Sequence, residues 1–150
     1  MNESRVVVES AEGKHPAHEH RVCLRILVTD DSAAVRQFMK AKLVQLAGNA
    51  FDVEIDEASS GEEAVTCVEK NPYDLVFLDV VMPGMGGHEA CRRIKSIRKT
   101  RVAMLSSLKS GADHHLGRMA GCDNYLTKPP QDTDMGAVLR IVYLRKSITP

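Results

Sequence analysis

Residues 75–87 read Leu-Val-Phe-Leu-Asp-Val-Val-Met-Pro-Gly-Met-Gly-Gly. Leu75 to Asp79 is an unbroken apolar run that ends in an acid. Such a run suits a strand buried on both faces, the situation of a parallel sheet covered by helices. The Pro/Gly-rich stretch Met82–Gly87 then forces a loop, and an amphipathic helix is expected from about His88 to Ile97.

The same alternation repeats on either side. Leu24–Thr29 reads as a strand, and Ser32 caps a helix through Leu46 whose stripe is Val35, Phe38, Met39, Leu43 and Leu46. Val53–Ala58 alternates apolar and acidic residues, as a strand with one exposed face does. Ser60 and Gly61 open a second helix that stops near Asn71-Pro72. Downstream, Arg101–Ser106 is a strand, Ser110–Ala120 a helix, Asn124–Thr127 a short strand and Thr133 to about Lys146 a last helix. Strands alternating with helices imply an α/β, doubly wound parallel sheet with right-handed crossovers. In that class ligands sit beyond the carboxyl ends of the strands.

Those ends carry a chemical set. The first strand ends in Asp30-Asp31, the third in Asp79 and the fourth in Ser106-Ser107, and Lys128-Pro129 follows the fifth. Clustered carboxylates repel one another unless a cation sits among them. Oxygen ligands with open water positions suit Mg²⁺, with Mn²⁺ as a substitute. Asp79 is placed to attack phosphorus, and Lys128 and Ser106 to neutralise and hydrogen-bond the oxygens of a transferring phosphoryl group. Singly, each residue has a plainer reading: Asp30 or Asp31 as a helix cap, Ser106 as a turn residue, Lys128 as a solvated charge. Such residues at the ends of four strands of one sheet are hard to reach by chance.

Four stretches carry a family likeness: Val28-Thr29-Asp30-Asp31-Ser32, Leu78-Asp79-Val80-Val81-Met82-Pro83-Gly84-Met85-Gly86-Gly87, Met104-Leu105-Ser106-Ser107 and Tyr125-Leu126-Thr127-Lys128-Pro129. Over roughly residues 22–146 the chain resembles the response-regulator receiver domains of two-component signalling. The stretch from Met104 to Pro129 is similar to single-domain receivers of the twitching-motility type. The resemblance implies a five-stranded flavodoxin-like sheet of order 2-1-3-4-5. It implies Asp79 as phosphoacceptor, Asp30, Asp31, Asp79 and the Val81 carbonyl as Mg²⁺ ligands, and Ser106 with Lys128 as the phosphate-sensing pair. It also implies Tyr125 as the aromatic switch partner of Ser106, a cis peptide before Pro129, and a switched surface made of the fourth helix, fifth strand and fifth helix. Pro130 departs from the aromatic often found there.

The implied partners are a histidine kinase or histidine phosphotransfer protein and a downstream effector protein. The implied chemistry is self-catalysed phosphotransfer and autodephosphorylation, not turnover of a separate substrate. Some receivers dimerise through the switched face, and its charges (Lys109, Arg118, Asp123, Arg140, Arg145) leave a homodimer open. Arg36, Lys40 and Lys42 read as a solvated charged helix face in preference to a kinase-docking rim, and His114 and His115 as exposed residues of the fourth helix. Val81 and Leu108 match the family's variable pocket-rim positions. Both are apolar and neither orients a hydrolytic water, which predicts a long-lived phosphoryl group.

Composition bounds the rest. The 150 residues hold 43% hydrophobic and 27% charged residues, with 20 cations balancing 20 anions. That composition suits one globular domain, and the balance disfavours direct nucleic-acid binding. No apolar run approaches the roughly 18 to 20 residues of a membrane span, so no membrane contact is expected. Cys23, Cys67, Cys91 and Cys122 form no CxxC pair and read as buried thiols in a reducing, cytoplasmic setting. Residues 1–20 read as a flexible tail ahead of a receiver domain over 21–150, with Val6–Val8 a strand in search of a partner and His15, His18 and His20 as chance residues in preference to metal ligands. A haloacid-dehalogenase-type phosphatase needs a second acid two residues after its nucleophile, where this chain has Val81. A receiver-like module that binds partners without being phosphorylated is the other alternative.

Overall fold

The computed structural model describes residues 6–8, 21–107 and 111–148. The elements in chain order are β1 (Val6–Val8), β2 (Cys23–Thr29), α1 (Ala33–Ala47), β3 (Asp52–Ala58), α2 (Gly61–Lys70), β4 (Leu75–Asp79), α3 (Gly87–Ile97), β5 (Arg101–Ser106), α4 (Gly111–Met119), β6 (Asn124–Thr127) and α5 (Asp132–Ile148). Strands β2 to β6 form the parallel sheet expected from sequence, in the order β3-β2-β4-β5-β6.

One strand is added to that expectation. Val6–Val8, inside the segment read as a tail, pairs antiparallel with Val53–Ile55 and makes the sheet six-stranded. Its partner β3 is the edge of the parallel set, and its outer backbone groups are available for such pairing. His15, His18 and His20 lie outside the described residues, as does Leu108.

The sheet splits the core in two. On one face Ile26, Val28, Leu75, Phe77, Ala103 and Leu105 pack under Met39 and Leu43 of α1 and Met135, Val138 and Leu139 of α5. On the other, Leu27, Val76, Leu78, Val102 and Met104 pack under Ala64, Val65 and Val68 of α2 and Ala90, Cys91 and Ile94 of α3. Neighbouring strand residues serve opposite faces, so central strands must be apolar throughout. All five residues of β4 are buried.

Local signals place the helices. Ser32 and Ser60 adopt extended backbone and accept hydrogen bonds from Val35 N at 3.3 Å and Glu63 N at 3.1 Å, satisfying first-turn donors. Phe38, assigned to the buried stripe of α1, is instead 47% exposed. Of the cysteines read as buried, only Cys91 is fully so; Cys23, Cys67 and Cys122 are half-buried, and all four are free thiols.

Candidate functional site

The site is assembled at the carboxyl ends of β2, β4, β5 and β6. Thr29 pairs with Leu78, Asp79 with Leu105 and Ser106 with Thr127, so the strands end nearly level and their following residues meet. Asp30 follows β2, Asp79 closes β4, Ser106 closes β5 and Lys128 follows β6. Carboxylate oxygens of Asp30, Asp31 and Asp79 lie within 4.8 Å of one another. Asp30 is 2% and Asp79 5% exposed, while Asp31 faces solvent.

Lys128 binds the two buried acids together. Its Nζ lies 3.0 Å from Asp79 Oδ2 and 2.7 Å from Asp30 Oδ2. The remaining lone pairs are held by backbone. Asp30 Oδ1 accepts from Ser32 N at 2.9 Å and Asp79 Oδ1 from Val81 N at 3.3 Å. Burial pushes the Asp79 carboxyl up, and the Asp30 charge adds to that, against the opposing pull of Lys128. For Lys128, burial alone favours loss of the proton, but the hydrogen bonds and charges of Asp30 and Asp79 outweigh it and raise its pKa.

The loop after β4 is seated by close contacts. Gly87 N donates to the Val80 carbonyl at 2.9 Å, and a Cβ on Gly87 would run into the Asp79 carbonyl oxygen and the Val80 Cα. Glu62 of α2 accepts from Met85 N at 2.5 Å. The Lys128–Pro129 peptide is cis, as the resemblance implied.

Three hard oxygen donors on one rim suit a divalent cation with open positions for water and a phosphoryl oxygen. Asp30 Oδ2 is shielded from solvent, and its close neighbour is the Lys128 ammonium at 2.7 Å. A buried carboxylate oxygen in that condition fits a second cationic partner. The donor set therefore accommodates Mg²⁺.

The surroundings of Ser106 and Tyr125, the two residues expected to act as a switch, differ from expectation at His114. Ser106 is buried. Tyr125 packs against the α2–α3 side of the core, its hydroxyl buried and without a hydrogen-bond partner. Its ring lies 4.3 Å from the His114 ring, so His114 is half-buried against Tyr125 and not the exposed residue expected; His115 is exposed. A Cβ at Gly117 would meet the Tyr125 ring at 2.6 Å, so the missing side chain makes room for it. His114 and Tyr125 are eleven positions apart, and no local period signals their contact.

The basic rim on α1 is also reduced. Arg36 Nε and Lys40 Nζ bind Glu57 of β3 at 3.0 and 2.9 Å, and Lys42 pairs with Asp132 at 3.2 Å. Lys40 is only 8% exposed. The face read as an open cationic surface is thus largely committed to intramolecular pairs.

With this geometry established, comparisons with known proteins agree. Residues 26–140 match the family model described as the response regulator receiver domain. The transcriptional regulatory protein ResD of Bacillus subtilis is 37% identical over 105 residues, covering 70% of this chain and 42% of ResD. The receiver domain of a Francisella response regulator superposes with a TM-score of 0.71 at 30% identity, over 82% of this chain and 98% of that one. The chemotaxis protein CheY4 of Vibrio cholerae gives 0.70 at 25% identity, over 81% and 99%. The chain belongs to the response regulator receiver domain family, whose general function is to accept a phosphoryl group. It spans less than half the length of ResD. Among the described residues, no helix is long and apolar enough to cross a membrane.

Proposed function

We propose that Asp79 takes a phosphoryl group from a phosphohistidine, on a histidine kinase or a phosphotransfer protein, in a Mg²⁺-dependent step. The observation that carries this reading is the meeting of Asp30, Asp31 and Asp79 within 4.8 Å, with Lys128 Nζ 3.0 Å from Asp79 Oδ2. An Asp79 carboxylate oxygen attacks phosphorus as the phosphorus–nitrogen bond of the donor breaks. The electron pair stays on the donor imidazole, and Asp79 becomes an acyl phosphate. Mg²⁺ or Mn²⁺, held by Asp30, Asp31, Asp79 and the Val81 carbonyl, supplies positive charge against the phosphoryl oxygens when bound. Lys128 neutralises a further oxygen, and the Ser106 hydroxyl hydrogen-bonds another.

The output is a change of surface. Contacts of the new oxygens with Ser106 and Lys128 bias the β5–α4 region, and Tyr125, lodged between His114 and Gly117, couples that bias to α4. The surface of α4, β6 and α5 exposes Leu116, Met119, Ile141 and Leu144, an apolar set suited to an effector protein or a second copy. Free thiols fit a reducing compartment, and the cytoplasm is the proposed location.

Incubation with acetyl phosphate and Mg²⁺, followed by intact mass, tests the reading. The expected result is a gain of about 80 Da, the mass of one phosphoryl group, in the wild type, abolished by Asp79→Asn and by EDTA. Wild-type protein that gains no adduct, or an adduct retained in Asp79→Asn, overturns it and leaves a binding module in its place.

A further inference from the structure

At the opposite end of the sheet from Asp79, a concavity of about 380 Å³ is lined by Tyr73, Asp74, Lys99, Arg101, Val142, Arg145 and Lys146. Four cationic side chains and one carboxylate border it, a local excess of positive charge in a chain with no net charge. They come from separate elements: Tyr73 and Asp74 precede β4, Lys99 and Arg101 lie at the start of β5, and the rest belong to α5.

The single acid is already committed. Asp74 Oδ2 accepts from Arg25 N at 2.7 Å and from Lys146 Nζ at 2.8 Å. Lys146 also donates to the Cys23 carbonyl at 2.6 Å, so it anchors α5. Arg101 is oriented by the neutral Asn124 Oδ1 at 3.1 Å, a contact that cancels no charge. Lys99 is exposed and has no ion-pair partner among the described residues. The α5 dipole explains cations in its last turn, where Arg145 and Lys146 lie. It does not explain Lys99 and Arg101 converging on the same hollow from β5. Behind them, buried Tyr73 and Val142 form a low-dielectric wall that strengthens the field in the cleft.

We propose that this cleft is a binding site for a condensed phosphate chain, either free or carried on a nucleoside. Several cations on separate elements match a string of phosphates better than a lone carboxylate, and arginine forks bind phosphate oxygens in pairs. The site is independent of the phosphoacceptor chemistry, because it faces away from Asp79 and uses none of its residues.

Isothermal titration with sodium tripolyphosphate, ATP and orthophosphate, all in EDTA, tests the proposal. Tripolyphosphate or ATP binds saturably and far more tightly than orthophosphate, and added salt weakens the binding. Equal affinity for tripolyphosphate and ATP identifies the phosphate chain alone as the ligand; tighter ATP binding identifies the nucleoside-borne form. The exposed double variant Lys99→Glu/Arg145→Glu loosens the dissociation constant by about tenfold or more, while circular dichroism shows it folded and Asp79 phosphorylation stays as in wild type. No saturable binding, orthophosphate binding as tightly as tripolyphosphate, or affinity unchanged in the folded double variant overturns the assignment.

Discussion

Glu57 shows how a single residue reverses a surface reading. It draws Arg36 and Lys40 of α1 onto β3 with hydrogen bonds of 3.0 and 2.9 Å. Burial pushes its carboxyl up, but the hydrogen bonds and charges of Lys40 and Arg36 prevail and hold it below the ordinary carboxylate range. A depressed folded-state pKa contributes stability that is present above the unfolded value and lost as pH falls through the folded one. Glu57→Gln is therefore expected to cost about 1.5–3 kcal/mol at pH 7, the range for hydrogen bonds to charged groups. The gap should narrow as pH drops below that of ordinary carboxylates. Urea unfolding of both proteins at pH 7 and at acid pH measures it, and a gap independent of pH contradicts the account. At the mouth of the site, Val81 is 62% exposed, so a polar side chain fits there without disturbing the core. Val81→Asn should shorten the lifetime of the phosphorylated form by placing an amide that orients water; a phosphate-release time course unchanged from wild type removes that explanation. Sequence showed the charged residues of α1 but not where they turn, because Glu57 lies 21 residues from Arg36 and on another element.

Among the elements, the β4–α3 connection sets the position of Asp79. Gly87 opens α3 with its Cα pressed against the backbone of Asp79 and Val80. Gly87→Ala should cost about 1–3 kcal/mol, as overpacking does, and should slow acetyl-phosphate labelling of Asp79 beyond what lost stability explains. Urea midpoints read beside initial labelling rates separate the two effects; an alanine variant with wild-type values for both would refute the steric argument. Most of this level was legible in advance. The unbroken apolar run of β4, the Ser32 and Ser60 caps and the Met82–Gly87 loop each have a local physical cause, and each appears where that cause puts it. What local pattern could not give was side-chain company: Phe38 keeps the helical spacing of the buried stripe yet stands 47% exposed. The Tyr125–His114 ring contact was hidden for the same reason.

For the whole molecule, the parallel sheet and the convergence of its carboxyl-end residues followed from strand order, since the fold class dictates where strand ends meet. The antiparallel addition of β1 did not, because three valines carry no information about which edge they will join. That strand pairs with β3 alone. A chain beginning at residue 21 should therefore fold, label on Asp79 at the wild-type rate and lose only a minor part of its stability; circular dichroism, urea unfolding and mass spectrometry of the shortened protein check this. Loss of folding would show that the edge strand is integral to the domain. The two apolar compartments carry a different implication. Leu27 and its companions answer to α2 and α3, Ile26 and its companions to α1 and α5, and the backbone of the sheet stands between them. Drift in volume beneath one helical pair can be offset within that same layer, so over many generations the two halves of the interior are free to diverge at their own pace.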